Sequence, residues 1–248
     1  MRNLPDKTIG RLEYYVRRGK RSSWGGPFNG QQQRCKIFKS IVSAVKIDAV
    51  IETGTYRGTT TRFIAENVCC PVYTAEYASR NIGFASEQLR WKRNVRLHQS
   101  DSRAFLKKIV RQLSKKTAFV YLDAHWFDDL PLDDELNILL SSEIIPIVMI
   151  DDFQVPDDPG YGYDDYGPGK ALTIEYISEI TSRFGVSIFF PSALSQEETG
   201  AKRGCAVLCN NSEVVSYLRS LPTLRELLLT SAQSPSPNTR PTRSQPSR

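Results

Sequence analysis

Five short strand-like segments alternate with helical stretches between residues 49 and 150, and this alternation limits the folds that the chain can adopt. The segments are residues 49–51, 71–75, 95–99, 118–122 and 145–150. Between them, apolar residues recur at helical spacing. A repeated strand and helix pattern of this kind predicts a doubly wound parallel sheet with helices on both faces.

The first segment leads into a glycine turn with the sequence ETGTYRGTT. Gly54 and Gly58 bracket a short polar loop, and a helix-like stretch follows from Thr60. Glycines allow a left-handed backbone and leave no Cβ in the way, while a new helix presents unpaired N–H groups. Such a turn at the carboxyl edge of a parallel sheet predicts a site for a nucleotide-like ligand.

Acidic residues stand at or just after the end of every one of these segments. They are Glu52, Glu76, Asp101, Asp123, Asp151 and Asp152. Because the ends of parallel strands meet at one edge, these carboxylates would repel one another without a ligand or cation. A purely structural role, in which each carboxylate caps the following helix or turn, stays open for any one of them.

The spacing of these acids favours a positively charged ligand over a dinucleotide. Glu76 closes the second segment, 24 residues after Glu52, where an acidic side chain reaches the ribose hydroxyls of a nucleoside. The loop reads GTYRG and not GxGxxG, which a pyrophosphate would prefer. S-adenosylmethionine, a nucleoside with a sulfonium and no phosphates, is such a ligand.

The rest of the chain divides into a basic arm, one domain and a tail. Residues 1–30 form the arm, residues 31–230 the domain, and residues 231–248 a polar tail that we expect to be disordered. Residues 156–170 are a glycine- and tyrosine-rich insertion, a pattern that predicts either a lid or a disordered loop. Two apolar runs at 186–190 and 205–209 have no helix between them and predict an antiparallel hairpin.

Charge and cysteine content constrain the setting of the protein. Residues 1–39 hold ten lysine or arginine residues and two acidic ones, so the arm either is simply solvated or presents a nucleic acid or another anion. Five cysteines, two of them adjacent, fit neither a disulfide framework nor a CxxC site. With no signal peptide and no apolar run long enough to span a membrane, we expect a soluble cytoplasmic protein.

Five motifs taken in order resemble the class I S-adenosylmethionine-dependent methyltransferases. They are VIETGTYRGTTTRFIAE, VYTAEY, LHQSDSRAFL, VYLDAHW and IVMIDDF, within residues 31–209. The chain is most similar to metal-dependent, catechol-type O-methyltransferases and to sugar and natural-product enzymes. The resemblance implies a Rossmann-like α/β fold with a seven-stranded, mostly parallel sheet and a C-terminal antiparallel hairpin.

The resemblance also implies which residues bind the cofactor and a metal. The expected cofactor contacts are Glu52, Thr53, Gly54, Tyr56, Gly58, Glu76, Ser100, Asp101, Ser102, His125 and Trp126. Among these, Glu76 would bind the ribose and Asp101 the adenine amine. Asp123, Asp151 and Asp152 would hold Mg²⁺, or else Mn²⁺ or Ca²⁺, because hard carboxylate oxygens suit these ions.

Three residues are candidates for the catalytic chemistry. His125 is the first choice of general base, and Asp123 lies beside it in sequence. Catechol-type enzymes carry a lysine just after the HW pair, where this chain has Phe127, so Lys170 in the insertion is the alternative base.

The expected activity is methyl transfer to a hydroxyl oxygen of a small sugar-like or phenolic acceptor, assisted by a divalent cation, in a monomer or homodimer. Two alternatives stay open. One is a nucleic-acid methyltransferase that uses the basic arm, and the other is a relative that binds cofactor or metal without methylating.

Overall fold

A computed structural model describes residues 4–124 and 129–227, and a twisted sheet forms its centre. Its strands are β1 (Ala49–Thr53), β2 (Val72–Glu76), β3 (Val95–Gln99), β4 (Thr117–Leu122), β5 (Ile145–Ile150), β6 (Ser187–Pro191), β7 (Ala206–Cys209) and β8 (Leu224–Glu226). The spatial order is β3-β2-β1-β4-β5-β7-β6-β8. β1 to β5 pair in parallel, and β7 is antiparallel to both β5 and β6. The predicted α/β fold and its C-terminal hairpin are therefore confirmed.

Helices cover both faces of this sheet. They are α1 (Asp6–Val16), α2 (Gln32–Ala44), α3 (Thr59–Asn67), α4 (Ser79–Gln88), α5 (Ser102–Gln112), α6 (Leu132–Leu140), α7 (Ile174–Arg183) and α8 (Ser212–Ser220). Helices α5, α6 and α7 contribute to one apolar cluster, whereas α2, α3 and α8 contribute to the other. Ile51 and Val50 point to opposite clusters, as neighbours on a strand must. The central parallel strands β1, β4 and β5 are buried on both sides, whereas the edge strand β3 is not.

The sheet has one strand more than expected within the described residues. After β7 the chain forms α8, and β8 then pairs antiparallel with β6 at the sheet edge. The strand is only three residues long, and its sequence, Leu-Arg-Glu, carries little apolar signal. Its position is fixed by pairing, with Pro191 opposite Leu224. The sequence therefore gave no indication of this strand.

The N-terminal arm packs on the domain through α1, which crosses α4 at very short distance. A Cβ added to Gly10 would lie 1.9 Å from the carbonyl oxygen of Arg80, and one added to Gly83 would lie 2.0 Å from that of Lys7. Ion pairing supports the crossing, since Glu13 accepts from Arg80 Nη2 at 2.6 Å. Arm and domain are thus joined by backbone packing.

Beyond α1, the arm runs along the carboxyl edge of the sheet as three short 3-10 turns. The last turn, Pro27–Gly30, buries Phe28 completely among the rings of Phe38, Phe63 and Tyr121. This aromatic anchor holds the segment 24–30 against the sheet.

The insertion at 156–170 is hydrogen-bonded to the strand-5 end of the sheet. Gly162 N–H donates to Lys202 O at 2.9 Å, and Asp164 N–H donates to Asp152 O at 2.9 Å. Tyr161 is buried, and its hydroxyl donates to Ala193 O at 3.0 Å. The segment forms a wall of the carboxyl edge here, and its opening as a lid stays a prediction.

Two further expectations concern the ends of the chain and the membrane. The tail at 231–248 lies outside the described residues. No helix in the described ranges has the length and apolar character needed to cross a bilayer.

Glu135 is a carboxylic acid buried on α6, between the end of β1 and the start of α5. It is 1 % exposed, and neither of its oxygens makes a well-formed hydrogen bond. Burial raises its pKa to about 7, although the nearby hydroxyls of Ser102 and Thr53 act in the opposite direction. The fold therefore favours the protonated, neutral form of this side chain.

The crossing of α1 and α4 predicts that Gly10→Ala undocks the arm. The added Cβ collides with the Arg80 backbone, so we expect a loss of about 1–3 kcal/mol of stability and faster tryptic cleavage at residues 17–21. Gly19→Ala is the matched control, because a Cβ there has no neighbour within 4 Å. Equal cleavage of the two variants would contradict the close crossing.

The raised pKa of Glu135 predicts a pH-dependent effect of Glu135→Gln. The carboxyl group of Glu135 has a pKa of about 7 in the folded state and an ordinary pKa of 4.5. Because the folded state keeps the proton to higher pH, the wild type loses stability as pH rises from about 4.5 to about 7. The unfolding free energy of Glu135→Gln minus that of the wild type should therefore increase by about 2–3 kcal/mol between pH 5 and pH 8. The measurement is denaturant titration at both pH values. Glu175→Gln, at an exposed position, is the control and should show no such change in the difference from wild type.

Candidate active site at the carboxyl edge of the sheet

The loop after β1 is held close to the end of β4. Gly54 adopts φ +85°, and a Cβ there would lie 2.0 Å from the carbonyl oxygen of Asp123. The N–H groups of Gly54 and Thr55 both donate to Ala75 O at 3.0 Å. Gly58, at φ +80°, is the N-cap of α3. Glycine is required at position 54 because another strand end occupies the space of a side chain.

Glu76 fastens the same loop from the end of β2. Its Oε2 accepts from the N–H of Tyr56 at 2.7 Å, and its Oε1 accepts from that of Ala78 at 2.8 Å. Tyr56 itself is left-handed, at φ +48°, which is uncommon for a bulky residue. Burial raises the pKa of Glu76 against the lowering effect of these bonds. Glu76 thus lies at the mouth of the loop, where its expected ribose contact stays a prediction.

Glu52 is completely enclosed under this loop. Its Oε2 accepts hydrogen bonds from the hydroxyls of Thr61 and Thr74, both at 2.5 Å. Burial raises the pKa of Glu52 to about 7, the two hydroxyls lower it, and the Glu76 carboxylate raises it further. Thr53 is also fully buried, and its hydroxyl makes no hydrogen bond in the described structure.

The residues expected near the adenine begin α5. Asp101 is the N-cap and accepts from the N–H groups of Arg103 (3.0 Å) and Ala104 (3.3 Å). The Arg103 guanidinium, bonded to the Asp101 carboxylate at 2.9 Å, holds the pKa of that carboxyl below its usual range. Ser100 is half-buried and Ser102 is buried. Asp101 therefore has the capping role that was left open, whereas its adenine contact is untested.

The ends of β4 and β5 bring together the three expected metal ligands. Carboxylate oxygens of Asp123, Asp151 and Asp152 lie within 4.8 Å of one another. Asp123 is half-buried. Desolvation raises its pKa well above the ordinary value, and the carboxylates of Asp152 and Glu52 raise it further.

Asp151 is paired with a buried arginine from α2. Arg34 Nη1 forms an ion pair with Asp151 Oδ1, and the two side chains are 1 % and 0 % exposed. Asp151 Oδ1 also accepts from the N–H of Asp152 at 2.9 Å. Its Oδ2 accepts from the hydroxyl of Tyr121 (2.6 Å) and from Asn29 Nδ2 (3.3 Å). Three hydrogen-bond donors and the ion pair with Arg34 therefore engage both oxygens of this carboxylate.

Asp152 is paired with a second arginine. Arg203 Nε donates to Asp152 Oδ1 at 2.8 Å, and its Nη2 binds Asp164 of the insertion. Gln31 fixes the backbone of Arg203, because its Nε2 donates to Arg203 O at 3.0 Å and its Oε1 accepts from Arg203 N at 2.5 Å. Asp152 is left-handed, at φ +50°. Strained backbone conformations of this kind are common at functional sites.

These pairs divide the acidic edge into two parts. On the strand-5 side, Asp151 and Asp152 are each paired with an arginine, and both oxygens of Asp151 already have protein partners. A divalent cation held by all three aspartates would therefore compete with these arginines. On the other side, Glu52, Glu76 and Asp123 form no ion pair within the described ranges. The carboxyl groups that have no arginine partner among the described residues thus lie around the glycine loop.

Two predicted site residues, His125 and Trp126, lie outside the described residues, as does Phe127. Lys170 is exposed, and its N–H donates to Gly167 O at 2.9 Å within the turn of the insertion. Its side chain makes no hydrogen bond or ion pair to any described residue. Its role as a base stays a prediction.

Arg34, Gln31 and Arg203 are site residues that sequence reasoning did not identify as such. Arg34 falls on a helix with an ordinary amphipathic pattern, where a basic residue is expected on the solvated face. The available signal was weak: residue 34 lies one helical turn before Phe38 and two turns before Ile41, on the buried side of α2.

Comparisons with known proteins support the same fold. No protein-family profile matches the chain, and no curated protein is similar to it in sequence. Among solved structures, an O-methyltransferase from Bacillus cereus, in complex with S-adenosylhomocysteine, superposes with a TM-score of 0.53 at 13 % identity, over 84 % of this chain and 92 % of that one.

Two further structures give similar values. The methyltransferase domain of bacterial CtHen1-CN superposes with a TM-score of 0.51 at 16 % identity, over 72 % of this chain and 98 % of that one. An amino pentose methyltransferase from Micromonospora echinaspora, with S-adenosylmethionine bound, superposes with a TM-score of 0.50 at 14 % identity, over 81 % of this chain and 97 % of that one. At such identities the likeness establishes architecture alone: the chain has the fold of the class I S-adenosylmethionine-dependent methyltransferases.

Proposed function

We propose that this protein transfers a methyl group from S-adenosylmethionine to a hydroxyl oxygen of a small sugar-like or phenolic molecule. The observation that carries the proposal is the distribution of charge at the carboxyl edge. Glu52, Glu76 and Asp123 surround the glycine loop and form no ion pair with a described residue. The Glu76 carboxylate raises the pKa of Glu52, and the Glu52 carboxylate raises the pKa of Asp123. A ligand with a positive charge relieves this repulsion, whereas a pyrophosphate increases it.

The loop and Glu76 provide the cofactor side of the proposed site. Glu76 is held by the N–H groups of Tyr56 and Ala78, so its carboxylate is oriented before a ligand arrives. We assign it to the ribose hydroxyls. Gly54 lets the loop approach the end of β4, which brings Glu76, Asp123 and the loop to one site.

Asp123 is the described residue best placed for proton transfer. When bound, S-adenosylmethionine supplies an electrophilic methyl on a sulfonium. Transfer of that methyl to an acceptor hydroxyl would leave S-adenosylhomocysteine, and a side chain of the protein would have to take the hydroxyl proton. The raised pKa of Asp123 makes its carboxylate a stronger base than an exposed aspartate. His125, beside it in sequence, remains the first choice from the sequence, and Lys170 the third candidate.

The proposal includes no divalent cation, because Arg34 and Arg203 already pair with two of the three expected ligands. Nucleic acid is also not favoured as the acceptor. Several basic residues of the arm and α4 are balanced locally, with Arg17 and Arg80 on Glu13, and Arg11 and Arg90 on Glu87.

The assignment of Glu76 predicts that Glu76→Gln weakens cofactor binding. A carboxylate that accepts hydrogen bonds from ribose hydroxyls contributes about 1.5–3 kcal/mol, so the Kd for S-adenosylhomocysteine in calorimetry should rise about 10- to 100-fold. Glu66→Gln is the control, since that glutamate lies on the outer side of α3 in a pair with Lys92. Unchanged affinity in Glu76→Gln would remove Glu76 from the site.

Transfer itself is tested by incubating the protein with S-adenosylmethionine and panels of sugar, phenol and RNA acceptors, followed by mass spectrometry. A mass gain of one methylene on a hydroxyl compound supports the proposal. Methylation of RNA alone would favour the nucleic-acid alternative, and binding without transfer to any class would favour a non-methylating relative.

A further inference from the structure

The strand-5 end of the sheet carries a fixed pair of guanidinium groups at the place where the sequence predicts a metal. We infer that Arg34 and Arg203 replace a divalent cation there, so that methyl transfer by this protein is independent of metal. The inference rests on the proposed function, and it concerns how the acceptor side of that site obtains its positive charge.

Arg34 is rigidly built into this position. The side chain is 1 % exposed, and its Nη2 donates to the carbonyl oxygen of Gly204 at 2.8 Å and also to that of Arg203. The start of α2 is fixed in turn, because Glu198 accepts from the N–H groups of Gln33 (2.9 Å) and Arg34 (3.1 Å). The guanidinium therefore cannot move aside into solvent to make room for an ion.

Both oxygens of Asp151 are already engaged by protein groups. Arg34, the Asp152 N–H, Tyr121 and Asn29 occupy both of its oxygens, as described above. A cation that bound Asp151 would have to displace at least one of these donors and would lie against a buried positive charge. This carboxylate is a partner for arginine and not a metal ligand.

Arg203 completes the arrangement on the more open side. It bridges Asp152 at the end of β5 and Asp164 in the insertion, and it is 26 % exposed. Because guanidinium presents five N–H donors in a planar fork, Arg203 can hold two carboxylates and still face an acceptor oxygen. The positive charge that a metal would offer to the acceptor is thus provided by a side chain.

The inference is tested first on the wild-type protein. Titration with Mn²⁺, followed by electron paramagnetic resonance, should show no site tighter than about 1 mM, the weak end of the usual range. Transfer to an identified acceptor should be unchanged in EDTA. Binding of Mn²⁺ below about 0.1 mM, or loss of transfer in EDTA with recovery on Mg²⁺, would overturn the inference.

Substitutions then separate charge from shape. Arg34→Met removes the charge and frees Asp151, so Mn²⁺ affinity should rise at least about tenfold. Arg34→Lys keeps the charge and should not gain affinity. Arg62→Met is the control, because this exposed arginine pairs with Glu66 on α3, away from the aspartates. A gain in Arg34→Lys equal to that in Arg34→Met would contradict the role of charge, and if Arg34→Met does not fold, the wild-type titration decides.

Calorimetry with S-adenosylhomocysteine on the same samples separates this inference from the proposed function. A wild-type protein that binds neither S-adenosylhomocysteine nor Mn²⁺ contradicts the function and agrees with the absence of a metal site. A protein that binds both agrees with the function and overturns the metal-independent centre.

Discussion

The buried ion pair between Arg34 and Asp151 connects the parts of this fold that come together at the carboxyl edge. It joins α2, the end of β5, and the backbone of residues 203–204 that leads into β7. Removing one partner of a buried pair leaves an uncompensated charge, which typically costs about 3–5 kcal/mol. The geometry of the acceptor side therefore depends on this contact, and on Tyr121 and Asn29, which bind the same carboxylate.

The glycine loop depends on a different constraint, the absence of a side chain at position 54. The loop lies so close to the end of β4 that a Cβ would collide with the Asp123 carbonyl. Among the described residues, this approach brings three carboxyl groups that form no ion pair to one side of the edge, while arginines pair with the carboxylates on the other side. Arg34 lies on α2 and Arg203 in the loop before β7, so both arginines are at the strand-5 side of the edge. The glycine loop and its carboxyl groups form the other side.

The N-terminal arm is part of this site and not an appendage to the domain. Its helix α1 is fixed by the glycine crossing with α4, and Phe28 is buried in the aromatic cluster behind β4. Phe28 and the following residue, Asn29, adopt left-handed backbones, at φ +48° and +59°. Asn29 can then reach Asp151. Such strained conformations persist only when the surrounding contacts determine them.

The sequence by itself determined the order of the elements and the acidic character of the edge. The alternation of strand-like and helical segments predicted β3 and β5 at their observed bounds. Parallel topology then places Glu52, Glu76, Asp123 and Asp151 at one edge. Only the tertiary structure decided which of these charges are balanced. Arg34 and Arg203 are 117 and 52 residues from Asp151 along the chain, counted from their numbers, and no local pattern records a pairing made by helix packing. Likewise β8 exists because β6 offers it an edge, and its own three residues do not encode a strand.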